Sequence, residues 1–160
     1  MNSRLEKHEV GLRRLNAETG GVMRDTYTWL YVHCVWGTWD RLPLLSAERK
    51  AAVYDCIQAE CTALKSEVIA IGGIENHVHV LARIPAALSV AELVKQIKGA
   101  SSHLVTHQLS PGEFFKWQGA YAAFSLSKAE VPRIRDYILR QEEHHRNRTL
   151  DPDAEFDANA

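Results

Sequence analysis

Only two residues, Glu75 and Asn76, separate two β-rich runs, Glu67–Ile74 and His77–Ile84. A gap that short admits a tight hairpin and little else, so the two runs must pair antiparallel. Everything else has to be arranged around that hairpin. Upstream, Tyr27–Trp36 is rich in aromatic and β-branched residues and reads as a strand. Asp40–Pro43 reads as a turn, and Ser46 as the N-cap of a helix reaching about Lys65, with Val53, Ile57 and Leu64 on its apolar side. Downstream, Pro85 ends the second run. Ser89 and Glu92 form a capping-box pattern ahead of a helix to about His107, with Val90, Leu93, Val94, Ile97 and Leu104 at helical spacing. Ser110–Gly119 reads as a loop, Tyr121–Leu126 as a strand and about Glu130–Arg146 as one last helix.

The order is therefore β-α-β-β-α-β followed by a helix. It predicts an α+β fold, the ferredoxin-like split βαβ, with an antiparallel sheet and two helices on one face. The other face is expected to be free for a site or partner. Residues 1–25 read as a short helical or disordered extension, residues 26–150 as the domain and 151–160 as an acidic tail. Asp151, Asp153, Glu155 and Asp157 hold four of the negative charges in a chain of net charge −1. Without them the body is mildly basic, which permits phosphate binding. The tail is expected to be a solvated, disordered end.

Other classes are excluded more firmly. No stretch is apolar enough to span a bilayer, and residues 1–16 carry no signal-peptide core, so a cytoplasmic protein with no membrane partner is expected. The cysteines, Cys34, Cys56 and Cys61, are odd in number and lack CxxC spacing, which argues against a disulfide framework or zinc knuckle.

His77 and His79 lie two apart on a strand, so both imidazoles point to one face, about 7 Å apart. The alternation places Val78 and Val80 toward the helices and the histidines on the helix-free face. Two neutral imidazoles so placed can converge on a divalent metal. They are equally what a half-exposed strand shows when polar residues alternate with valines. On the last helix Tyr137 and Gln141 are four apart and share a side, at the edge of an apolar stripe of Val131, Ile134 and Ile138. Gln141 can offer an amide oxygen beside the histidines, and oxygen ligands suit Mg²⁺ or Mn²⁺. Tyr137 is either a packing residue or a nucleophile. His144 and His145 beside Arg146 read as a polar helix end that complements the helix dipole.

Five segments in order resemble the IS200-like, single-tyrosine (Y1) transposases of the HUH endonuclease group. They are VHCVWGTWDRLPLL from Val32, GGIENHVHV from Gly72, SVAELVKQIKGAS from Ser89, KWQGAYAAFSLS from Lys116 and YILRQEEHHR from Tyr137. The resemblance covers about residues 27–150. It implies Tyr137 as nucleophile, His77, His79 and Gln141 as ligands of Mg²⁺ or Mn²⁺, and a 5′-phosphotyrosine intermediate. It implies single-stranded DNA with hairpin ends as substrate, and a homodimer. Glu75, beside the pair, is a further candidate for the metal. Arg41, Lys95, Lys98, Lys116, Arg133 and Arg140 are candidate phosphate contacts, and Trp36, Trp39 and Trp117 candidate base-stacking residues, with core packing as their other role. The competing readings are a domesticated relative that processes genomic palindromes, a replication initiator or relaxase, and a non-catalytic hairpin binder.

Overall fold

The computed structural model describes residues 27–155, together with the backbone of two dipeptides, Arg14–Leu15 (β1) and Val22–Met23 (β2), which pair antiparallel. The expected N-terminal extension otherwise lies outside the described residues, and these two dipeptides are extended rather than helical.

The main sheet has four strands: β3 (Leu30–Gly37), β4 (Glu67–Ile74), β5 (His77–Ile84) and β6 (Ala122–Leu126). Their order is β4-β5-β3-β6 and every neighbour is antiparallel. This is the ferredoxin-like arrangement expected from the element order. Helices α1 (Ala47–Ala63) and α2 (Val90–Leu104) pack side by side on one face. Ser46 caps α1 by accepting from the Arg49 amide, and Ser89 caps α2 by accepting from the Glu92 amide. The Glu92 carboxylate instead accepts from Gln96, one turn on, and pairs with Lys95. A single π-helical turn, Val105–Leu109, continues α2.

Strand alternation divides the interior in two. Val32, Cys34 and Trp36 of β3, with Val78, Val80 and Ala82 of β5, meet Val53, Ile57, Leu93 and Ile97 from α1 and α2. Each fully buried aliphatic there is worth about 1.5–3 kcal/mol. Trp36 and Trp117 lie in this core, edge to face at 5.9 Å. The alternate residues, Tyr31, His33, His77, His79 and Leu81, face the other way.

That second face departs from expectation. It is covered, by α3 (Val131–Leu139) and by residues 151–155. Ile134, Tyr137, Ile138 and Ala154 form a second cluster with Ala70 and Leu81. The expected single last helix is two. At Arg140 the backbone leaves the helix (φ −110°, ψ 24°), its amide closing a short turn onto the Tyr137 carbonyl, and α4 (Gln141–Asn147) starts afresh. The tail is not wholly solvated either: Ala154 is fully buried. Gly72 makes the seat for α3. A Cβ there would lie 2.0 Å from the Ile138 carbonyl oxygen, so only glycine lets the helix come this close to β4.

Candidate active site

Strand register brings the histidines together. His79 pairs with Val35 and His33 with Leu81, so His33, His77 and His79 project from adjacent strands onto one face. They are 1%, 2% and 0% exposed. His77 Nε2 lies 3.1 Å from Gln141 Oε1, and its Nδ1 lies 2.8 Å from Asn76 Oδ1. His79 Nδ1 lies 2.9 Å from His33 Nε2. His79 Nε2, fully buried, has no hydrogen-bond partner. Burial, and then the neighbouring His79, push both His33 and His77 down to about 3, so both rings are neutral near pH 7. Neutral imidazoles with a free nitrogen are what a metal requires.

Tyr137 reaches the same place from α3. Its ring centroid is 6.2 Å from that of His79. Its hydroxyl donates to the Glu155 carboxylate and accepts from the Asp151 amide at 3.2 Å. Burial, and then the Glu155 bond, push the phenol up to about 12. The helix break does not separate Tyr137 from Gln141. Gln141 Nε2 donates to the same Glu155 oxygen at 3.3 Å.

Glu155 is thus the hub of the site. Its other oxygen lies 3.6 Å from His79 Nε2 and 4.0 Å from His77 Nε2. At 3.6 Å the His79 contact is electrostatic rather than a hydrogen bond. Burial would raise the Glu155 pKa, but the His79 and Tyr137 contacts outweigh it and hold it down at about 2. His145 completes the surroundings: potential ligand atoms of His77, His145 and Glu155 lie within 4.8 Å of one another. The chain alone therefore offers imidazole, amide and carboxylate donors around one point.

Of the residues implied by the sequence, Tyr137, His77, His79 and Gln141 are together. Glu75 is exposed on the hairpin turn, and its carbonyl accepts from the Leu45 amide; the site's carboxylate is Glu155. His33 and Glu155 carried no signal in the sequence reading. For His33 one was available, since it alternates in phase with Tyr31 and Val35 opposite the apolar set Val32, Cys34 and Trp36. His145 read as a helix end but sits against His77, ring centroids 4.8 Å apart.

The candidate phosphate contacts are dispersed. Lys95 and Lys98 are on α2, in the layer behind the sheet. Lys98 donates to the carbonyls of Gln118, Gly119 and Ala120, and Lys95 pairs with Glu92. Arg133 pairs with Asp151, and Arg140 bonds the Asp136 carbonyl. Lys116 sits 3.6 Å over the ring of Trp39, which is 42% exposed on the turn that also holds Arg41. Trp36 and Trp117 are core residues instead, and the Trp117 indole donates to Ser101. Among the described residues no helix is long and apolar enough to cross a membrane.

Solved structures that share this fold include two transposase structures. A Deinococcus radiodurans R1 protein assigned as a transposase has a TM-score of 0.56 at 23% identity, covering 74% of this chain and 95% of its own. A REP-associated tyrosine transposase bound to a REP hairpin has a TM-score of 0.59 at 16% identity, covering 77% and 73%. No curated protein sequence matches significantly. The profile described as transposase, IS200-like, matches residues 26–141, a span that holds His77, His79, Tyr137 and Gln141. The chain belongs to the IS200-like transposase family.

Proposed function

We propose that this protein is a metal-dependent DNA strand transferase that acts on single-stranded DNA through Tyr137. The observation that carries this is the convergence of the Tyr137 hydroxyl, two histidine Nε2 atoms and the Gln141 amide nitrogen around one carboxylate, with the Gln141 amide oxygen against His77 Nε2. The residues fit a divalent ion: His79 Nε2 is buried without a hydrogen-bond partner, and His77 is neutral near pH 7. His77, His79 and Gln141 would hold Mg²⁺ or Mn²⁺. When bound, the ion supplies positive charge that stabilises the scissile phosphate as negative charge builds on it.

The chain's own residues do the rest. Tyr137 Oη forms a bond to phosphorus, the P–O3′ bond breaks, and the products are a 5′-phosphotyrosine and a strand ending in 3′-OH. The tyrosine proton is lost and the departing oxygen gains one. Attack by a 3′-OH on the phosphotyrosine reverses the step and joins strands. The energy of the phosphodiester is kept in the covalent link, so no nucleotide cofactor is needed. Tyr137 lies over its own chain's histidines, an arrangement suited to cleavage in cis; joining two ends calls for two copies of the chain. Hairpin-bearing ends are the proposed substrate, supported by the fold shared with a protein bound to a REP hairpin. That likeness equally favours a second reading, in which the same chemistry processes genomic palindromes.

The test uses labelled single-stranded oligonucleotides tiling the DNA that flanks the coding sequence, with Mn²⁺ or Mg²⁺. A metal-dependent covalent protein–DNA band, lost in Tyr137→Phe, is expected. Tight hairpin binding without any covalent band would leave a non-catalytic binder.

A further inference from the structure

His33 is placed to act on the site without facing the substrate. It is 1% exposed, its ring is nearly parallel to that of His79, and Phe124 packs at 5.8 Å on it. The one polar contact of its ring is to His79 Nδ1, 2.9 Å away. A neutral imidazole carries one proton, so what Nδ1 does decides what Nε2 can do. If His79 donates from Nδ1 to His33, its Nε2 is left as a lone pair. That nitrogen is the one directed toward Glu155 and the site. If His33 were the donor, His79 Nε2 would carry the proton and could not bind a cation. Metal-bound histidines commonly depend on such an acceptor behind the ring.

We propose that His33 is a positioning residue that receives the His79 Nδ1–H and so presents the Nε2 lone pair to the divalent ion. This rests on the assignment of His79 as a metal ligand. His33→Phe keeps the ring, its stacking and its volume but removes the acceptor. His33→Gln places an amide oxygen near the position of Nε2 and restores it.

The experiment is a Mn²⁺ titration of the full chain without DNA, following free Mn²⁺ by electron paramagnetic resonance, with thermal melts alongside. The expected result is roughly a 10–100-fold loss of Mn²⁺ affinity in His33→Phe, largely recovered in His33→Gln. His79→Ala should remove the site. Affinity in folded His33→Phe within twofold of the unaltered protein, while His79→Ala abolishes binding, overturns the role of His33 alone. Failure of the unaltered protein to bind Mn²⁺ through His79 overturns the metal assignment and this inference with it. Nitrogen-15 spectra of the unaltered protein with Zn²⁺ as a diamagnetic probe need no variant to fold. A coupling across the hydrogen bond from His79 Nδ1–H to His33 Nε2 supports the proposal, and a His79 Nδ1–H with no such coupling overturns it.

Discussion

Tyr137 donates its hydroxyl hydrogen to Glu155, a residue eighteen positions later that reaches back over the sheet. The same carboxylate lies against His77 and His79. A phosphate entering this place would meet a carboxylate of like charge, and a tyrosine whose proton is held on. Glu155→Gln removes the charge and keeps the shape. It is expected to lower the Tyr137 pKa and to raise the initial rate of covalent complex formation several-fold at pH 7. Slower cleavage together with weaker Mn²⁺ binding would instead make Glu155 a ligand.

Acid should destabilise the metal-free protein well above the usual carboxylate range. His33 and His77 are held down at about 3 in the fold, against 6.5 in the unfolded chain. Between those values the unfolded state binds more protons than the native one, so stability falls as pH falls from 6.5 toward 3 and is flat above. Glu155, depressed to about 2, adds loss of the same sign below its ordinary 4.5. Calorimetry at pH 5 in buffers of differing ionisation enthalpy should report uptake of about two protons from this pair on unfolding. His33→Phe should lower that by about one. A melting temperature equal at pH 7 and pH 5 would sink the argument.

The approach of α3 to β4 gives a sharper test of how Tyr137 is seated. A Cβ on residue 72 would lie 2.0 Å from a backbone oxygen, which cannot swing aside as a side chain can. Gly72→Ala should therefore push α3 off the strand, at a cost of about 1–3 kcal/mol typical of overpacking. Hydrogen exchange should quicken in α3 and residues 151–155, and cleavage should drop, while α1 and α2 keep their protection. Unchanged exchange in α3 would mean the helix has another seat.

Much of this arrangement was legible in the residues because it follows from short-range rules. The two-residue hairpin fixed β4 against β5, and the alternation His77, His79 against Val78, Val80 fixed which face the imidazoles take. Ser46 and Ser89 marked where α1 and α2 begin. The covering of that face was not legible. Val131, Ile134 and Ile138 announced an apolar stripe, but the glycine that receives it lies some sixty residues earlier. Helical spacing also ran on through Arg140, where the helix breaks without a breaker residue. The tail was read from its charge alone. Its docking depends on one buried alanine, Ala154, and on Glu155 finding donors on α3 and α4 beside the His79 ring of β5, none of which is a local signal.

The three tryptophans considered for base stacking separate by burial, and so should their variants. Trp39 presents its ring on a turn, with Lys116 over it. Trp39→Ala should weaken single-stranded DNA binding by about tenfold, within the roughly 1–3 kcal/mol of one stacked base, and leave the melting temperature near its original value. Trp117→Phe should do the reverse. It loses the indole bond to Ser101, worth about 1 kcal/mol, while Ser101 keeps its bond to the Ile97 carbonyl. The fold should soften slightly and DNA affinity should hold. Fluorescence anisotropy with a labelled oligonucleotide, read beside thermal melts, distinguishes the two. Equal affinity in Trp39→Ala would remove that turn from the DNA path.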